Sequence, residues 1–98
     1  MAETFDDAAA AYERGDYATA AAQMQTLAEQ GDARAQYALG VMCVQGYGVP
    51  QSEAQAMKWF QLAAAQGDAR ARYNLSVMYS VGQRARPTQI VSADPWVK

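Results

Sequence analysis

Apolar side chains recur along this chain with helical spacing. Ala35, Leu39 and Met42 fall at i, i+4 and i+7; Ala56, Trp59, Phe60, Ala63 and Ala64 fall at i, i+3, i+4, i+7 and i+8. Polar and glycine positions punctuate the runs. Asp16 and Ser52 stand where an N-cap is needed, Gly31 and Gly67 stand at helix ends, and Asp32 and Asp68 can cap the helix that follows. Gly46, Gly48 and Pro50 interrupt the pattern between two runs. The spacing predicts helices over about 4–14, 17–30, 33–44, 53–66 and 69–81, with a tight turn at Gly15 and a loop over about 45–51.

The pattern also repeats. Gly31 to Met42 (GDARAQYALGVM) and Gly67 to Met78 (GDARARYNLSVM) are identical at nine of twelve positions, at an offset of 36. Upstream the match continues more weakly: Ala18, Ala20, Gln25, Ala28 and Gln30 lie over Ala54, Ala56, Gln61, Ala64 and Gln66. Helices joined by such short connections pack antiparallel, and one pair cannot bury both of its faces, so successive pairs stack. The 22 alanines suit that arrangement, because small side chains let helix axes approach, while Trp59 and Phe60 fill wider gaps.

Three stretches carry a family resemblance: Gly31-Asp-Ala-x-Ala-x-x-x-Leu39-Gly40, then Gly46-Tyr-Gly48-Val49-Pro50, then Ala56-x-x-Trp59-Phe60-x-x-Ala63-Ala64-x-x-Gly67. Together they resemble the Sel1-like repeat, a relative of the tetratricopeptide repeat. Phe5-x-x-Ala8-x-x-Ala11-Tyr12-x-x-Gly15-Asp16-Tyr17-x-x-Ala20 resembles the first half of a tetratricopeptide motif. The fold implied is all-α: a right-handed α-solenoid of antiparallel helix pairs, with about five helices and an irregular C-terminal tail. Three positions depart from the pattern. Cys43 replaces the aromatic seen at Tyr79, Ser76 replaces the glycine seen at Gly40, and Ser52 replaces an acidic residue but can still cap.

The repeat domain is expected to span 1–82, with units over about 4–30 and 31–66 and an incomplete one over 67–82. The remainder, 83–98, has two prolines, no helical period and a charge of +2, against −4 for residues 1–82. Either this tail folds back as a cap, with Ile90, Val91 and Trp96 as plugs, or another chain covers the last helix; a truncated or frame-altered reading of a longer array is a third expectation.

Composition narrows the chemistry. The chain has 98 residues, no histidine and one cysteine, so the commonest general base is missing and no intrachain disulfide can form. Cys43 is expected to be a small core hydrophobe. Asp6 and Asp7 sit in a first helical turn, where they favour the dipole. No zinc spacing occurs, and Gly46-Tyr47-Gly48 lacks the lysine and serine of a phosphate loop. Neither a metal nor a cofactor is called for, and an enzyme is not expected. The net charge of −2 and pI near 4.9 argue against broad binding to nucleic acid. No run of 18 apolar residues exists, so no membrane insertion is expected. Secreted relatives with many paired cysteines associate with cell-wall or penicillin-type ligands, but this chain lacks the pairs, so that activity is not carried over. Met1 to Asp7 is acidic rather than basic and then apolar, as in a cytoplasmic protein or in a periplasmic or secreted one whose signal peptide was removed.

What remains is surface. On the first helix of each unit, away from the Ala35–Leu39 stripe, Arg34, Tyr37 and Val41 lie within about 60° of one another. Their copies are Arg70, Tyr73 and Val77. Such a ladder offers cation, hydrogen bond and apolar contact to a peptide laid along the groove formed by the first helices. Read as packing instead, Tyr37 and Tyr73 are repeat-to-repeat aromatics, and Arg34 and Arg70 are solvated. The resemblance implies a non-catalytic adaptor or scaffold that binds a protein segment. The alternative is a self-associating fragment whose uncapped end, residues 69–98, dimerises.

Overall fold

The computed structural model describes residues 4–80; expectations for the segment after Gly82 lie outside the described residues. Five helices follow in order: α1 (Phe5–Glu13), α2 (Tyr17–Glu29), α3 (Ala33–Gln45), α4 (Glu53–Ala65) and α5 (Ala69–Ser80). Every boundary falls within two residues of the position read from the spacing, and no strand occurs among the described residues.

Local chemistry sets the helix starts. The Asp16, Asp32, Ser52 and Asp68 side chains accept backbone N–H groups of Thr19, Ala35, Gln55 and Ala71, at 3.4, 3.4, 3.1 and 3.1 Å. Each satisfies a donor that the helix itself leaves unpaired. At α1 the cap is Thr4, and its exchange with Asp7 completes a capping box. The loop between α3 and α4 leaves through Gly46 and turns back at Gly48, where φ is +75°. A side chain at Gly48 would collide with the Tyr17 carbonyl oxygen, so the loop presses on the start of α2 only because that residue is glycine.

Each helix packs on its neighbours in sequence, and α3 is the middle rod. Ala35, Ala38, Leu39 and Met42 enter one core with α1 and α2; Tyr37, Val41, Cys43 and Val44 enter a second with α4 and α5. Consequently all ten residues from Ala35 to Val44 are buried. Burying a side chain such as Leu39 or Met42 contributes about 2 kcal/mol. Between α3 and α4 the approach is close at Gly40: a Cβ there would lie 2.5 Å from the Phe60 ring. Two side-chain amides bridge polar groups between helices. Gln36 Nε2 donates to the Ala28 carbonyl, and Gln66 Nε2 donates to Gly31 O and Gln36 Oε1.

Candidate interaction face

The structure separates the six ladder residues. Arg34 lies with its guanidinium 4.4 Å from the centre of the Phe5 ring, on the preceding first helix. Arg70 repeats this over Tyr37, at 4.2 Å. Each arginine is held by the aspartate that caps its own helix: Arg34 Nη2 lies 3.2 Å from Asp32, and Arg70 Nη2 lies 2.9 Å from Asp68. Burial pushes both carboxyls upward, but the hydrogen bonds and charge of the arginine, with the backbone N–H groups, outweigh it and hold them below the usual range. Ring, arginine and aspartate thus form a clasp at each junction between units, its cation–π contact contributing about 0.5–1 kcal/mol.

Tyr37 and Val41 correct the open-groove expectation, since both are fully buried. The Tyr37 ring lies 5.8 Å from that of Phe60. Burial raises its hydroxyl pKa to about 12, against the opposing charge of Arg70 and a hydrogen bond with Asn74. The physical reason is the central place of α3. The side of the helix that the periodicity leaves uncommitted is taken by α4 and α5, so no groove runs along its middle. Tyr73, the copy of Tyr37, is 54% exposed, and Val77 is half-buried against the second core.

The repeat itself explains the difference. On α3, α4 covers Gln36, Tyr37, Gly40 and Cys43; their copies on α5 are Arg72, Tyr73, Ser76 and Tyr79. All four are exposed among the described residues, and with Ala69 and Leu75 they line a shallow depression of about 590 Å³. The ladder omitted Arg72, Ser76 and Tyr79. Their signal was available in the 36-residue offset, once it is asked which side of each first helix its partner covers.

A second, smaller cleft of about 350 Å³ lies between α2, α4 and the α3–α4 loop, lined by Trp59, Val49, Cys43, Gln25 and Gln55 among others. Cys43 is buried there, as expected of a core hydrophobe, and burial pushes its thiol up, away from the nucleophilic thiolate. Among the described residues no three His, Cys, Asp or Glu side chains gather as a metal site, and no helix is long and apolar enough to cross a membrane.

The Sel1 repeat matches the chain twice, at residues 33–68 and 69–93, which together make up more than half of it. No curated protein and no solved structure matches. With its repeat spacing, paired helices and two matched units, the chain belongs to the Sel1 repeat family, helical solenoids that are generally protein-interaction modules and typically non-catalytic.

Proposed function

We propose that the chain is a non-catalytic adaptor that binds a protein segment at the open face of α5. The supporting observation is the contrast between two copies of one residue: Tyr37 is fully buried beneath α4 and α5, whereas Tyr73 is 54% exposed. Tyr73 supplies ring area, Val77 an apolar flank, and Arg72 positive charge, while Arg70, paired with Asp68 over Tyr37, borders the face. A large aromatic beside arginine is the composition that carries binding energy at protein interfaces. Arg34, on the central helix α3 and clasped over Phe5 of α1, takes part in holding the array.

Site-directed photo-crosslinking tests this reading. A photo-reactive side chain at position 73 is expected to trap a protein in source lysate, and the same group at Lys58, on the outer side of α4, is not. Trapping at 58 with none at 73 sinks the assignment.

A further inference from the structure

The exposed faces at the two ends of the stack match each other in spacing, size and charge. On α1, Asp6, Ala10 and Glu13 are exposed at i, i+4 and i+7; on α5, Arg72, Ser76 and Tyr79 are exposed at the same spacing. Within these faces α1 carries two carboxylates, Asp6 and Glu13, and α5 carries one cation, Arg72, Arg70 being paired with Asp68. We propose that the chain assembles head to tail, α1 of one copy lying antiparallel in the seat beside α5 of the next. This inference rests on the docking face argued above and names its occupant.

Ser76 decides what fits the seat. Its copy Gly40 admits Phe60 of α4, and a Cβ at that position would stand 2.5 and 2.7 Å from two Phe60 ring carbons. Ser76 carries such a Cβ, so a helix seated on α5 as α4 sits on α3 must displace an aromatic at that position, and a small residue there fits without a shift. Ala10 is that residue on α1, with Ala9 beside it. Placing Ala10 against Ser76 with the helices antiparallel fixes the rest. Glu13, three residues along α1, comes opposite Arg72, four residues back on α5; at about 1.5 Å per residue the two positions differ by only about 1.5 Å along the axis. Asp6 comes opposite Tyr79 by the same count. The Tyr79 hydroxyl accepts from Gln61 Nε2 at 3.0 Å and keeps its own proton to donate to a carboxylate. Because the two surfaces are different, the contact is heterologous, and it propagates or closes into a ring rather than stopping at two.

Sedimentation of the full chain over a range of concentrations reads the proposal. The expected result is a mass that climbs past the dimer and falls back at high salt. Arg72→Glu and Glu13→Arg, both at exposed positions, each abolish the rise with unchanged helical circular dichroism. An equal mixture of the two variants restores it, because each then offers the charge the other lacks. A chain that stays monomeric at the highest concentration overturns the proposal, and so does a dimer that stops at two or an assembly that ignores Glu13→Arg. If the chain is monomeric and a photo-reactive group at 73 still traps a different protein, head-to-tail assembly is lost while the docking face stands. If it is monomeric and nothing is trapped, both fall.

Discussion

Tyr37 and Tyr73 occupy one repeat position, 36 residues apart, and differ in what lies on top of them. Burial gives Tyr37 a pKa of about 12, above the ordinary value of 10.0, so between those values the folded chain keeps a proton that the unfolded chain releases. Stability contributed by the neutral ring is therefore present below about pH 10 and is lost as pH climbs towards 12. The loss amounts to about 2–3 kcal/mol in all. Tyr37→Phe should cost about 1 kcal/mol at neutral pH, since Asn74 loses its partner, and should flatten this alkaline decline. Urea titrations at about pH 7 and about pH 11 check both effects; an equally steep decline in the variant contradicts the burial argument. From the sequence, Tyr37 read equally well as groove or as packing. A helical wheel gives the direction of a side chain but not the number of rods around the helix, and α3 has neighbours on both sides.

The five helices were legible almost to the residue because their ends are short-range. Asp16, Asp32, Ser52 and Asp68 each reach a backbone N–H within three residues, and such contacts leave a mark in local sequence. Thr4 was not singled out, and its capping box with Asp7 emerged only from the fold. Nor was the load on the α3–α4 loop visible. There Tyr47 stacks on Tyr17 with centroids 4.5 Å apart, Tyr17 meets Tyr12 edge-on at 5.0 Å, and the Tyr12 hydroxyl donates to Gln45 Oε1. Gly48 lets this cluster close. Gly48→Ala should lower the melting temperature well beyond Gly15→Ala, although both residues have positive φ. A Cβ at Gly15 meets nothing within 4 Å, whereas one at Gly48 meets Tyr17 backbone. We expect about 1 kcal/mol for Gly15→Ala and at least about twice that for Gly48→Ala. Equal melting temperatures would show that the loop moves aside freely.

Across the molecule, stability follows neighbour count. The strongest contacts run between helices adjacent in sequence, and α3 alone contributes fully buried residues to both cores, with Trp59 of α4 packed against each. In such a stack opening proceeds from the ends inward. Amide exchange should accordingly be slowest in Ala35–Val44 and faster in α1, with α5 also below α3. Protection that peaks in α1 would contradict a nearest-neighbour array. If the proposed assembly forms, protection of α1 and α5 rises with concentration while that of α3 holds.

The clasp of ring, arginine and aspartate has a consequence for how such a molecule lengthens. Phenylalanine serves as the socket at one junction and tyrosine at the next, so the joint is indifferent to which ring it receives. A duplicated middle unit would therefore find a compatible mate on either side of the insertion. An ordinary unit added beyond α5 would meet the Ser76 methylene where Gly40 leaves room for an aromatic. Growth by copying from within is open to this architecture, and a further helix seated on α5 would have to turn its aromatic aside or carry a smaller residue there.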